Sequence, residues 1–165
     1  MTEEETEMIQ EEELLREAEK AGFDHYKILS ARKVQFDHSL RKYCEVNYCG
    51  NYGKNYSCPP ACGTPEEMEE KAGRFKNVLV LQTITPVQDI TDEQETRVIK
   101  HRHNQMTWGL IESLSGKLQD FLPAMAGPCQ VCVKCEKGEE KPCPFPNTVA
   151  SWLSGYCIQV DKMAE

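Results

Sequence analysis

Two stretches of the chain have the apolar pattern of β-strands. Residues 78–84, VLVLQTI, are nearly all apolar and rich in β-branched side chains, which predicts a strand in the centre of a sheet. Pro86 follows closely and ends this strand. Residues 25–36 instead alternate apolar and polar positions. This alternation predicts one or two half-buried strands built on Tyr26, Ile28, Val34 and Phe36.

Helical spacing of apolar residues appears first near the N-terminus. Residues 5–21 repeat apolar positions at intervals typical of a helix, and Gly22 is a natural stop. A second helix is predicted to begin at Thr64 and to run to about Arg74. Threonine suits the N-cap, and the proline and glutamates that follow suit the first helical turn.

The remaining apolar pattern predicts one long helix and two short elements. Residues 91–122 are expected to form the long helix, with Gly116 tolerated inside it. A short helix is predicted over 147–154 and a short strand over 157–160. Together these elements predict an α+β fold. We expect a small mixed sheet with helices packed on one face and two cysteine-rich metal-binding loops, in a single domain of residues 1–165.

The chain is acidic. Its formal net charge is −8, and nine of its first nineteen residues are glutamate. We expect this acidic run to be solvated and residues 1–12 to fray, with docking to a basic partner as the alternative. An acidic chain lacks the surface that neutralises phosphates, so neither nucleic acid nor a membrane is expected as a partner.

What the cysteine content indicates depends on the compartment in which the protein is expected. The N-terminus lacks the basic and apolar segments of a signal peptide, and no stretch approaches the roughly 20 apolar residues of a membrane span. We therefore expect a cytoplasmic protein, whose thiols are kept reduced. Nine cysteines in such a chain indicate metal or redox chemistry and not a disulfide framework.

Four of these cysteines fall within residues 129–143, CQVCVKCEKGEEKPC. The first three are spaced C-x2-C-x2-C, as in the run of bacterial ferredoxins that ends in Cys-Pro. Structural zinc favours two separate C-x2-C pairs. The spacing therefore favours a [4Fe–4S] cluster, and zinc, free thiols or disulfides are the alternatives. The candidate ligands are Cys129, Cys132, Cys135 and Cys143.

A second group of four cysteines lies in an irregular loop, residues 43–63, that is rich in glycine and tyrosine. Its spacing, C-x4-C-x8-C-x3-C, matches neither the zinc-finger nor the ferredoxin pattern. We expect a second metal or cluster here. It would be a zinc ion that staples the loop, a second Fe–S cluster, or a centre that shares a sulfur with the other loop. The candidate ligands are Cys44, Cys49, Cys58 and Cys62.

Other residues near these loops have simpler expected roles. The tyrosines of the first loop are expected to shield its metal from water or to stack on a ligand: Tyr43, Tyr48, Tyr52 and Tyr56. Cys157 lies on the predicted last strand and is expected to be a buried structural thiol. The sequence has no phosphate-binding loop, dinucleotide fingerprint, nucleophile elbow or H-E-x-x-H motif, so no catalytic residue is predicted and enzymatic activity stays open.

The cysteine motifs also resemble those of a known family. C-x4-C-x2-Y-G, S-C-P-P and P-E-E occur in order over 44–67, and A-G-P-C-x2-C-x2-C and P-C-P-F-P occur over 126–146. In this order they resemble a family of small bacterial and archaeal proteins described only as predicted metal-binding proteins. The resemblance runs from about residue 13 to the end of the chain. It implies metal binding and names no activity.

The resemblance carries over some cysteines and leaves two aside. Cys62 is not among the residues that it implies, so the fourth ligand of the first site stays open. Cys157 stands where the family has a small residue. The cysteines that it implies are Cys44, Cys49, Cys58, Cys129, Cys132, Cys135 and Cys143.

Three functions fit these observations. The first is electron transfer through a [4Fe–4S] cluster on the second loop, with a redox protein as partner. The second is a zinc-stabilised module that binds another protein and uses metal only for folding. The third is a protein that handles a metal or cofactor and keeps one site labile.

Overall fold

The computed structural model describes residues 3–118 and 120–163, and it describes side chains from residue 10 onward. In chain order its helices and strands are α1 (Glu3–Lys20), β1 (His25–Ser30), α2 (Arg41–Glu45), α3 (Pro65–Gly73), β2 (Asn77–Gln82), α4 (Glu93–Ser113) and α5 (Val160–Met163). Short 3-10 turns occupy Ala31–Lys33, His38–Leu40, Glu136–Glu139 and Pro146–Thr148. Within this part of the chain, no helix has the length and apolar character that crossing a bilayer requires.

The described residues form two compact units, each assembled from two segments of the chain. The first unit joins the chain up to Ala31 to Asn77–Phe121. The second joins Arg32–Lys76 to the chain from Leu122 onward. All nine cysteines therefore fall in the second unit.

The N-terminal helix forms as predicted. α1 ends at Lys20, and Gly22 follows it with a φ of 94°, a left-handed conformation that glycine adopts without steric cost. The predicted fraying of residues 1–12 stays a prediction, and residues 1–2 lie outside the described chain. The single domain over 1–165 also stays a prediction.

The sheet of the first unit consists of β1 and β2, which pair antiparallel so that Ile28 lies opposite Leu79. The α+β class is thereby confirmed. Among the described residues the sheet has two strands and is antiparallel, not mixed, so β2 lies at an edge and not in the centre. Residues 34–36 do not extend it, because they belong to the second unit. α1, α4 and the strands share a core built on Ala18, Phe23, Leu110 and Leu114.

The long helix is shorter than the sequence pattern predicts. The Asp92 side chain caps α4 by accepting hydrogen bonds from the N–H groups of Gln94 and Glu95, at 2.9 and 3.2 Å. The helix ends at Ser113, and Gly116 has a φ of 81°. The prediction of a helix through 91–122 is wrong beyond Ser113, because a left-handed residue does not continue a right-handed helix.

In the second unit, α3 forms where predicted. Thr64 Oγ1 accepts a hydrogen bond from the N–H of Glu67, and the Glu67 carboxylate accepts one from the N–H of Thr64. This reciprocal pair is a capping box. Met68 of α3 is buried with Tyr156 and Ile158 in the core of this unit.

The C-terminal segment departs most from prediction. The predicted helix over 147–154 is only the 3-10 turn Pro146–Thr148, and the predicted strand over 157–160 is a single bridge between Phe36 and Ile158. Cys157 has a φ of 59°, which is incompatible with an extended strand.

Candidate metal centres

The first cysteine loop begins in α2 and continues as a series of turns. Cys44 lies in α2, and Asn47, just after it, has a φ of 60°. The Asn47 side-chain oxygen accepts a hydrogen bond from the N–H of Tyr52 at 3.0 Å. Further on, the N–H of Gly53 donates to the carbonyl of Pro59 at 2.9 Å. These bonds fold the loop back on itself.

The four thiols of this loop differ in exposure. Cys58 is 3% exposed and Cys44 is 9% exposed, whereas Cys62 is half-buried and Cys49 is exposed. Burial raises the pKa of Cys58 to about 12, against an opposing hydrogen bond from Ser57. The other three thiols raise this pKa further through like-charge repulsion. The ionised form of Cys58 is therefore disfavoured both by burial and by the neighbouring thiols.

Arg41 lies beside this loop and is itself buried. Its Nη1 donates a hydrogen bond to the carbonyl of Gly63 at 2.6 Å, and its Nη2 donates to the carbonyl of Gly155 at 2.8 Å. Burial raises the pKa of three nearby thiols, and the positive charge of Arg41 opposes that rise in each of them: Cys44, Cys62 and Cys157.

Cys157 is fully buried, as expected. Its carbonyl accepts a hydrogen bond from the N–H of Asp37 at 2.9 Å, and its own N–H donates to the carbonyl of Ser154 at 3.1 Å. The backbone of Cys157 therefore fixes the C-terminal segment against the chain that precedes α2. Its role as a structural thiol stays a prediction.

The second loop surrounds one pocket. Its wall includes Tyr56, Phe145 and Val149 together with all four cysteines of the loop, which are Cys129, Cys132, Cys135 and Cys143. Each of these cysteines is half-buried. Burial raises the pKa of the Cys129 thiol, and the other three thiols raise it further by like-charge repulsion. The four cysteines thus line a common space.

Local turns bring the last cysteine of this loop back toward the first three. Cys135 precedes the 3-10 turn Glu136–Glu139, and Glu140 then adopts a φ of 57°, which reverses the chain. The N–H of Phe145 donates a hydrogen bond to Cys143 Sγ at 3.4 Å. Backbone hydrogen bonds to sulfur stabilise a thiolate and are one way in which proteins tune metal–sulfur centres.

The two loops are joined by buried polar residues of the first loop. Ser57 Oγ accepts a hydrogen bond from the N–H of Cys129 at 2.8 Å, and Asn55 Nδ2 donates to the carbonyl of Cys129 at 3.1 Å. Ser57 Oγ also donates to Asn55 Oδ1 at 2.8 Å. Asn55 is 4% exposed and Ser57 is fully buried. Both backbone polar groups of Cys129 are therefore held by the first loop.

The tyrosines of the first loop differ in exposure. Tyr43 and Tyr48 are exposed, whereas Tyr52 is half-buried, and their shielding or stacking role stays a prediction. Tyr56 instead lines the pocket of the second loop, and its hydroxyl donates a hydrogen bond to the carbonyl of Lys141 at 2.5 Å.

All nine cysteines are free thiols, and none forms a disulfide. Within the residues that the structure describes, no group of three or more histidine, cysteine or carboxylate side chains is arranged to hold a metal ion. The four cysteines of the second loop line one pocket, and the ligand assignments at both loops stay predictions. The chemistry of each set nevertheless fits a metal centre, because thiolates are the preferred ligands of zinc and of iron–sulfur clusters.

The family model described as predicted metal-binding protein, DUF2284, matches residues 27–165. The chain belongs to this family. The resemblance carried by the cysteine motifs is thus confirmed, and the DUF2284 segment contains all nine cysteines. No curated protein and no solved structure matches the chain. Metal binding is the function that DUF2284 is predicted to have, and the family description names no metal.

Sequence reasoning did not single out three polar residues of this DUF2284 chain, namely Arg41, Asn55 and Ser57. Asn55 and Ser57 lie 74 and 72 positions from Cys129, so their contacts have no local signal. Arg41 comes three residues before Cys44, and its burial could not be read from the surrounding polar residues. Their position beside cysteines was the one hint available.

Proposed function

We propose that this protein carries a [4Fe–4S] cluster on the second loop and exchanges electrons with a redox protein in the cytoplasm. The ligands would be Cys129, Cys132, Cys135 and Cys143. The observation that carries the proposal is that all four of these cysteines line the same pocket. When bound, such a cluster accepts and returns one electron at a potential set by charge, hydrogen bonds to sulfur and solvent exposure.

Side chains and backbone around the pocket support this use. The rings of Tyr56 and Phe145 form part of its wall and would exclude water from the sulfurs. The N–H of Phe145 already donates to Cys143 Sγ, a bond that favours the ionised sulfur and raises the potential of a bound cluster. Pro144, directly after Cys143, matches the Cys-Pro end of ferredoxin motifs.

A protein partner is supported by the exposed side chains of the second loop. Val133 is fully exposed between Cys132 and Cys135, and Val131 and Phe145 are also exposed. Apolar side chains next to a redox centre suit short-lived contact with another protein, in which electron transfer needs close approach and little buried area. The cytoplasm supplies the reducing conditions that nine free thiols require.

Zinc is the alternative metal, because the same four thiolates suit both. A zinc-bound second loop would make the protein a folded interaction module with no electron-transfer role. A third reading, metal or cofactor handling, requires one site to bind metal weakly and reversibly while the other holds it tightly.

The test is anaerobic purification followed by a visible spectrum and by analysis of iron, sulfide and zinc in the same sample. The proposal expects a brown protein with about four iron and four sulfide in one cluster, which loses colour on reduction with dithionite. Colourless protein that contains zinc alone would contradict the proposal and support the interaction module. Metal that exchanges freely at one loop only would support metal handling.

Two variants assign the metal to the second loop. Cys132→Ser removes one candidate ligand and is expected to remove the visible absorbance of the second loop's cluster. Val133→Ser changes the exposed neighbour of Cys132 and is expected to leave the spectrum unchanged. If Cys132→Ser kept the full iron content, the ligand assignment would be wrong.

A further inference from the structure

Arg41 is a buried cation with no carboxylate partner among the described side chains. It is 7% exposed, and its Nε has no hydrogen-bond partner although it is shielded from water. Its Nη1 and Nη2 donate hydrogen bonds to the backbone carbonyls of Gly63 and Gly155. Within the described part of the chain, no carboxylate forms an ion pair with it. A buried charge in this state destabilises the fold unless an anion compensates for it.

The hydrogen bonds of this guanidinium place it close in the chain to several cysteines. The two carbonyls that bind it belong to residues next to cysteines: Gly63 follows Cys62, and Gly155 lies two residues before Cys157. Cys44 lies one helical turn after Arg41 in α2. Neutral thiols offer no countercharge, whereas thiolates would.

We propose that the first loop holds a second metal centre, separate from that of the second loop, and that Arg41 is its buried countercharge. The ligands would be the thiolates of Cys44, Cys49, Cys58 and Cys62. A divalent ion with four thiolates keeps roughly two negative charges. A cluster bound by four thiolates is also anionic. The site is therefore assigned to a thiophilic metal, either a zinc-like ion or an iron–sulfur cluster.

Exposure within the loop indicates how such a centre is reached. Cys58 and Cys44 are buried, and Cys49 is exposed. Metal would enter from the side of Cys49, as each thiol releases its proton to solvent on forming its bond to the metal. A guanidinium group carries a permanent positive charge in proteins. The positive charge of Arg41 thus compensates, from the buried side, for the negative charge of the metal-loaded site.

The proposal is tested on reduced full-length protein by anaerobic titration with Zn²⁺ against a competing chelator. The Cys132→Ser variant isolates the first loop in these titrations. In that background, Arg41→Gln removes the charge, Arg41→Lys keeps it, and Lys42→Gln removes an adjacent charge that is exposed. Analysis of iron, sulfide and zinc in freshly purified Cys132→Ser distinguishes an iron–sulfur cluster from a single ion.

We expect Arg41→Gln to weaken Zn²⁺ binding by about 10- to 100-fold, as losses of outer groups around metal sites commonly do. Arg41→Lys should retain most of the affinity for Zn²⁺. Lys42→Gln should bind Zn²⁺ as tightly as the Cys132→Ser protein in which it is made. Arg41→Gln should lower the melting temperature of the metal-loaded protein more than it lowers that of the metal-free protein. Unchanged affinity in Arg41→Gln, or equal losses of stability with and without metal, would overturn the countercharge role.

Cys49→Ser tests the site itself if Arg41→Gln fails to fold. Because Cys49 is exposed, this substitution is not expected to disturb the core. In otherwise unchanged protein it should remove the metal of the first loop and leave the visible spectrum of the second. Metal content equal to that of the unchanged protein would overturn the second centre. Cys132→Ser reports on the second loop alone, so the two proposals fail separately.

Discussion

Ser57 Oγ accepts a hydrogen bond from the backbone N–H of Cys129 at 2.8 Å, which joins the two cysteine loops at the first candidate ligand of the second loop. The same hydroxyl lies 3.8 Å from Cys58 Sγ. One fully buried side chain therefore contacts a thiol of the first loop and the backbone of the second. We infer that Ser57 holds the start of the second loop in place.

Ser57→Ala should disorder the second loop. The substitution leaves the N–H of Cys129 without its partner, which costs about 1–3 kcal/mol for a buried polar group. We expect metal at the second loop to be lost more readily to a chelator, by about 10- to 100-fold in affinity. Ser154→Ala, which changes an exposed serine of the same unit, serves as the control. Equal chelator sensitivity in both variants would argue against a link through Ser57.

Tyr56→Phe separates the hydroxyl from the ring. The hydroxyl holds the carbonyl of Lys141, two residues before Cys143, while the ring forms part of the pocket wall. Losing one hydrogen bond should lower the free energy of unfolding by about 0.5–1.5 kcal/mol and leave the metal bound. Tyr56→Ala should in addition admit water and oxygen to the pocket, so that colour fades faster in air. Identical fading in both variants would show that the ring does not shield the sulfurs.

Thr64→Ala should weaken the start of α3. The capping box satisfies two backbone groups, and loss of the threonine oxygen costs about 1 kcal/mol. The effect should reach the first loop, because Cys62 packs against the core that contains Met68. Glu67→Gln keeps an acceptor for the N–H of Thr64 and should cost less in urea unfolding. If Thr64→Ala and Glu67→Gln lowered the free energy of unfolding equally, the charge of Glu67 would matter as much as the threonine oxygen.

The features that sequence predicted well are those with local causes. The start of α3 follows from Thr64 and Pro65, and the end of α1 follows from Gly22, because each signal lies within one turn of the boundary. The two groups of cysteines were found for the same reason, since spacing alone brings the members of a loop together. Each depends on residues that are close in the chain.

The features that sequence did not predict depend on distant contacts. The bridge between Phe36 and Ile158 forms only after the two ends of the second unit meet, and the φ of Cys157 prevents a longer strand. Arg41 acquires its neighbours in the same way, through the carbonyl of Gly155, 114 positions away. Neither contact has a periodic pattern that a single sequence could display.

His103 should make the stability of the protein depend on pH. Its ring is half-buried, packs edge to face on Phe23 at 5.4 Å, and shares a 2.8 Å hydrogen bond with Thr83. Burial lowers the pKa of His103 below its ordinary value of 6.5. The unfolded chain then binds a proton more readily than the folded chain. Stability from the neutral ring is complete above about pH 6.5 and is lost as pH falls toward the lowered pKa.

Urea unfolding between pH 7.5 and about pH 5 would measure this effect. His103→Gln, which cannot titrate, should lose less stability over this range than the unchanged protein, and His25→Gln, at an exposed position on β1, should lose as much. Comparing variants removes the contribution of the thiols, which is common to all three. If His103→Gln lost stability as steeply as His25→Gln, the ring of His103 would not be a source of the acid sensitivity. In that case the folded protein would have to accommodate a protonated His103 ring, with its hydrogen bond to Thr83 intact.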